Sequence, residues 1–206
     1  GLGMQSRTSL CTRVLTVCGD APPAEAVALL RSGQLVAFPT DTVYGLGCDL
    51  WQEQAIARLY EAKGRPSSLA IPVLVASAED VALVALDPPA GYAALAERFW
   101  PGALTLVLRR QARVPSRLCA GNDTIAVRMP DQALVRGLAA ALGGAMATTS
   151  ANLSGRPASC TAAEALADLD GRIPLLLDGG RSPGGQASSI VDLVNDPPLL
   201  LREGAL

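Results

Sequence analysis

Three short stretches of this chain gather hydroxyls, cations and glycines in patterns that can do chemistry. In Phe38-Pro39-Thr40-Asp41-Thr42-Val43-Tyr44-Gly45-Leu46-Gly47 an apolar run gives way to two threonines, a carboxylate and two glycines. Hydroxyls there supply oriented hydrogen bonds, and glycines let backbone N–H groups approach a ligand. Lys63-Gly64-Arg65-Pro66-Ser67-Ser68 sets two cations one residue apart, a point charge beside a planar fork, which suits polyphosphate oxygens. Thr148 to Arg156 carries four hydroxyls, an amide and an arginine within nine residues, a set suited to an anion or a nucleotide. Each stretch also has a structural alternative: a polar turn, cations that stabilise a helix C-terminus by about 0.3–1 kcal/mol, and a solvated serine-rich loop. Arg128, Ser188 and Arg202, each at the boundary of an apolar run, stand equally open between site and surface.

Composition removes many other chemistries. The chain has no histidine, which excludes Ser-His-Asp and Cys-His nucleophilic systems, histidine bases and most zinc sites. Five cysteines, at 11, 18, 48, 119 and 160, form no C-x-x-C pair, so neither a disulfide framework nor a zinc ribbon is expected and a reducing cytoplasm is the simplest setting. Gly45-Leu46-Gly47-Cys48-Asp49-Leu50 lacks the third glycine of G-x-G-x-x-G and no P-loop occurs, so the familiar phosphate loops are missing. With 17 Lys+Arg against 19 Asp+Glu and a net charge of −2, a broadly basic nucleic-acid surface is not expected, though a local basic pocket is compatible. The long uncharged run from 137 to 155 is broken by hydroxyls, an asparagine and glycines, which argues against a membrane span.

Elements must hold these stretches in place. Half of the 206 residues are apolar and 3% aromatic, giving a core of Ala, Leu and Val on the scale of one domain, 1–206. Gly1-Leu2-Gly3 before Met4 reads as a tag remnant, so residues 1–12 are expected to be a flexible or tag-derived N-terminus. Apolar periodicity and Pro/Gly punctuation predict helices near 24–31, 51–63, 78–86, 91–99, 132–142 and 161–169. Strands are predicted at 35–38, 71–75, 104–108, 124–127, 145–148, 173–177, 189–193 and 199–201. Their order mixes β-α units with consecutive strands, which predicts an α/β fold: an open twisted sheet of mixed direction with helices on its faces.

Taken together, PTDTVYGLG (39–47), KGRP (63–66), FWPGALTLVL (99–108), TIAVRMP (124–130), TSANLSGRP (149–157), SSIVDL (188–193) and LLREG (200–204) resemble the YrdC/Sua5 family, the threonylcarbamoyl-AMP synthases. The resemblance runs from about residue 24 to 206 and implies a sheet around a large basic cavity. It implies an enzyme that joins L-threonine, bicarbonate or CO2 and ATP, with Mg2+, into threonylcarbamoyl-AMP and pyrophosphate. The product feeds N6-threonylcarbamoylation of adenosine 37 in tRNA, so downstream tRNA threonylcarbamoyl-transfer machinery is the expected partner. Carried over residue by residue, Lys63 and Arg65 would hold ATP phosphates with Ser150 and Asn152, and Ser67, Thr124, Arg156 and Arg202 would make further nucleotide contacts. Thr40, Arg128, Thr148 and Ser188 would bind threonine; no protein metal ligand is implied. Several relatives place a histidine near the position of Leu74. The competing class is a module for tRNA or double-stranded RNA, or a ribosome-assembly factor, using the same cavity; weak RNA binding is also compatible with the enzyme. A third class, a carbamoyl-phosphate-consuming transferase, shares a related module in a longer chain.

Overall fold

The computed structural model describes residues 11–184, 187–204 and 206. The expected flexible N-terminus falls mostly outside these residues, but its last residue does not behave that way. Thr12 is buried, and its hydroxyl donates to Ile173 O at 2.6 Å.

Among the described residues, ten strands join one sheet: β1 (Arg13–Thr16), β2 (Val36–Phe38), β3 (Gly45–Cys48), β4 (Val73–Val75), β5 (Leu104–Arg109), β6 (Thr124–Arg128), β7 (Ala145–Ser150), β8 (Leu175–Asp178), β9 (Ser189–Asp192) and β10 (Leu199–Arg202). Their spatial order is β1-β8-β2-β3-β7-β4-β6-β5-β9-β10. The pairs β1/β8, β2/β8, β4/β6 and β5/β9 are parallel and the others antiparallel, the mixed sheet that the element order predicts. The described residues also form five α-helices: α1 (Ala24–Arg31), α2 (Glu53–Lys63), α3 (Tyr92–Phe99), α4 (Ala133–Ala141) and α5 (Ala162–Leu169). The segment expected as a helix over 78–86 is a shorter 3-10 helix, Ala78–Leu83.

Alternation along the strands divides the core between the two faces. On one side Leu46, Cys48, Val73, Val75, Leu106 and Val127 pack with Ile56 and Leu59 of α2 and Ala165 of α5. On the other, Val36, Phe38, Leu74, Met146 and Leu175 meet Leu30 of α1 and Leu134, Val135 and Leu138 of α4. Two strands escaped the sequence pattern, β1 and β3. In β3, Gly45 and Gly47 carry no side chain because there is no room for one. A Cβ on Gly45 would lie 2.9 Å from the Phe38 ring and 3.0 Å from the Thr148 methyl, and one on Gly47 would lie 2.8 Å from the same ring. Their first duty is therefore packing of Phe38 across the sheet rather than approach to a ligand.

Candidate active site

The second face of the sheet is apolar only where α1 and α4 cover it. Beyond them the same alternation brings polar residues up from strand after strand. Leu74 of β4 pairs with Met146 of β7 and with Arg128 of β6. The β5/β6 register places Thr105 opposite Arg128, and Thr105 in turn pairs with Ile190 of β9, itself opposite Arg202 of β10. Residues opposite one another in a ladder share a face, so Thr148, Arg128, Thr105 and Arg202 project to one side. They line a cleft of about 220 Å3, together with Thr40, Thr42, Tyr44, Arg65, Leu74, Ser150 and Ser188.

Arg128 is anchored in the floor. Its Nη1 donates to Asp41 Oδ1 at 2.7 Å and to Gly102 O at 3.2 Å, and its Nη2 donates to Thr42 Oγ1 at 3.3 Å. Asp41 Oδ2 accepts the Asp131 N–H at 3.0 Å. Asp41 is thus the counter-ion of Arg128, a role that the sequence did not reveal. Thr40 Oγ1 donates to Val43 O at 2.6 Å and accepts from Thr42 N at 3.1 Å, a local turn that holds the hydroxyl against the cleft. On the opposite wall the Thr105 and Ser188 hydroxyls lie 2.7 Å apart, and Arg202 Nε donates to Ser188 O at 2.9 Å. Tyr44 is fully buried and donates to Gly180 O at 2.6 Å; burial raises its phenol above the ordinary value. With that ring packed inward, the described lining presents no aromatic face for stacking a base.

The Lys63 cluster enters from the other face. Helix α2 ends in a Schellman turn: Gly64 takes the left-handed conformation at φ 61°, Gly64 N donates to Glu61 O and Arg65 N to Tyr60 O. The turn sends consecutive cations in different directions. Arg65 reaches the cleft wall, its Nη2 donating to Ala70 O at 2.8 Å. Lys63, 2% exposed, turns inward, and its ammonium donates to Ser150 O at 2.6 Å, Ser150 Oγ at 3.3 Å and Asn152 Oδ1 at 3.3 Å. All three N–H groups therefore have acceptors, and any phosphate contact requires exchange of one of the two longer bonds. Burial, and secondarily the Arg65 charge, pushes the Lys63 ammonium down to about 8, against a smaller upward pull from Asp168.

The structure thus joins Thr40, Arg65, Arg128, Thr148, Ser150, Ser188 and Arg202 at one cleft, with Lys63 and Asn152 directly behind Ser150. Three expected nucleotide contacts lie apart from it. Ser67 is exposed on the loop after α2. Thr124 sits at the far end of β6, about 13 Å along the strand from Arg128 at ~3.3 Å per residue. The Arg156 side chain is 63% exposed and pairs with Asp168 at 3.0 Å. Thr105 was missed in the sequence and becomes visible only through strand register, whereas Asp41 and Thr42, noted there only as part of a polar stretch, acquire their role through Arg128. Among the described residues no group of three or more His, Cys, Asp and Glu is placed to hold a metal, and both Asp41 oxygens are engaged. The cleft lining therefore does not fit a protein-held Mg2+.

The chain is similar to several known proteins. A curated threonylcarbamoyl-AMP synthase of Pyrococcus abyssi is 42% identical over 181 residues, covering 88% of this chain and 53% of the relative. One from Bacillus subtilis is 42% identical over 188 residues, covering 91% and 54%. The chain therefore spans about half the length of these relatives. The solved structure of P. abyssi Sua5 complexed with L-threonine superposes with a TM-score of 0.88 at 39% identity, covering 95% of this chain and 58% of that one. The Sua5/YciO/YrdC family model, described as "Telomere recombination", matches residues 28–204, and the chain belongs to that family.

Proposed function

We propose that this chain is a threonylcarbamoyl-AMP synthase, forming the mixed anhydride and pyrophosphate from L-threonine, bicarbonate or CO2, and MgATP. The observation that carries this is the convergence of Arg65, Arg128 and Arg202 with the Thr148, Thr40 and Ser188 hydroxyls in one cleft. Such a lining suits two anionic reactants, and the reaction calls for no covalent protein intermediate. The threonine amine adds to CO2 and gives up a proton to solvent to form a carbamate, a carbamate oxygen bonds to the α-phosphorus, and the bond to the pyrophosphate oxygen breaks, so that pyrophosphate leaves.

In this reading Arg128 receives the threonine carboxylate. Three of its five N–H groups are taken, and the two that remain, Nε–H and one Nη2–H, belong to neighbouring nitrogens and match the two oxygens of one carboxylate. Thr148, Thr40 and Ser188 surround the amino-acid end. Arg65 and Arg202 face the phosphates, and Lys63 holds Ser150 and Asn152 in position beside them. The protein's contribution is juxtaposition and fixed charge. Mg2+ arrives with the nucleotide as part of the substrate and supplies charge neutralisation on the phosphates. Downstream, a tRNA threonylcarbamoyl-transfer system would consume the product.

The test is incubation with ATP, Mg2+, bicarbonate and labelled threonine. Pyrophosphate should appear only when all four are present, with label in an adenylate. Release that ignores threonine, or no release from folded protein, refutes the proposal. A binding signal that 0.3 M salt erases and that ATP plus threonine cannot compete away would instead favour RNA binding.

A further inference from the structure

We propose that Asp41 is a positioning residue for Arg128, fixing which edge of the guanidinium meets the substrate carboxylate. The proposal rests on the assignment of Arg128 to the threonine carboxylate. Both partners are nearly enclosed, with side-chain exposures of 8% for Arg128 and 12% for Asp41. Asp41 does not line the cleft; it lies behind the arginine and links two loops. One oxygen takes Arg128 Nη1 and the other takes the Asp131 N–H, just before α4. With Gly102 O accepting the second Nη1 proton and Thr42 Oγ1 accepting from Nη2, rotation of the guanidinium about its long axis is blocked. The free donors then face the cleft as a preformed pair. A free arginine would lose side-chain entropy on forming the same two bonds; here the folded chain has already fixed the geometry.

Charge and positioning make opposite predictions, which allows a sharp test. Asp41 offsets the Arg128 charge, so its removal by itself strengthens attraction for a carboxylate. In Asp41→Asn the side chain keeps its shape, but an amide cannot accept from both Arg128 and Asp131 N–H through two oxygens. If positioning dominates, the KM for threonine rises at least tenfold while the KM for ATP stays within twofold, and threonine binding measured by calorimetry weakens in parallel. In an Arg128→Gln background Asp41→Asn then adds little, because the two act through one contact. A lower threonine KM, an equal rise in both KM values, or a full additive loss in the double variant overturns the proposal. Thr42→Val, which removes the Nη2 tether together with the 3.2 Å contact to the Thr40 hydroxyl, is measured alongside and should raise the threonine KM about threefold. Should Asp41→Asn fail to fold, an unchanged threonine KM in Thr42→Val overturns it. Arg128→Gln alone separates the two levels: if it affects ATP and threonine equally, the carboxylate assignment fails; if it is threonine-selective while Asp41→Asn is silent, only the positioning role fails.

Discussion

Replacing Lys63 by methionine separates stability from catalysis in a way the structure makes quantitative. The ammonium is held at a cost: a downward shift from the ordinary lysine value of 10.5 to about 8 corresponds to about 3 kcal/mol of disfavoured charge at neutral pH. Methionine removes that cost and fills much of the same buried volume. Against this, Ser150 O, Ser150 Oγ and Asn152 Oδ1 lose their donor, at about 1–3 kcal/mol for each acceptor that stays dry. Ser150 is half-buried and water can reach its hydroxyl, so two acceptors at about 1–3 kcal/mol each oppose about 3 kcal/mol relieved, and the net loss of stability is no more than about 3 kcal/mol. Catalysis has no such compensation. Without the ammonium the Ser150–Asn152 segment loses its tie to α2, and a loss of about 2–3 kcal/mol in transition-state stabilisation is a fall of roughly 30- to 150-fold in kcat/KM. Thermal unfolding and threonine-dependent pyrophosphate release measure the two separately. A Lys63→Met protein that melts far below the parent, yet turns over within threefold of it per folded molecule, refutes this account.

The same residue predicts opposite pH trends. Lys63 is protonated up to about pH 8 in the folded chain and to about 10.5 when unfolded. The unfolded state binds more protons across that window, so this group makes stability rise with pH there, while activity that needs the ammonium falls above about pH 8. Lys63→Arg, which keeps its charge, should remove the alkaline limb of the kcat/KM profile. Arg128→Gln should raise the KM for threonine at least tenfold with little change for ATP; equal effects would contradict its role at the carboxylate. Gly45→Ala places a methyl 2.9 Å from the Phe38 ring and should lower stability by about 1–3 kcal/mol, seen as a drop of several degrees in melting temperature.

Much of this arrangement was legible from sequence because it rests on periodicity and punctuation. Helix α2 announced itself by Ala55, Ile56, Leu59 and Tyr60 and by its terminal Gly64. Strands β5 and β7 appeared as apolar runs, although β7 continues through Ser150, so the hydroxyl stretch that reads as a loop begins in a strand. β3 was hidden because its glycines carry no β-forming side chain; they serve Phe38, from the neighbouring strand. β1 was hidden because its short Arg13–Thr16 run is mostly exposed at the sheet edge, leaving no alternation to detect. The cations and hydroxyls of the cleft were recognisable as types. The roles of Asp41 and Thr105 were not, since they depend on partners about 80 or more residues away. Thr124 shows the converse: a residue within a recognisable motif that the strand carries to the end away from Arg128.

A cleft floored by alternate residues of interleaved strands makes function depend on parity. Gly45 faces Ser150 and Gly47 faces Thr148; a single-residue insertion within β7 would reverse that assignment, turning Ala147 and Thr149 toward the cleft and burying Thr148 against the opposite core. Frameshifted pairing is therefore penalised twice, once in packing and once in activity, so turnover serves as a sensitive gauge of correct strand alignment across the whole sheet.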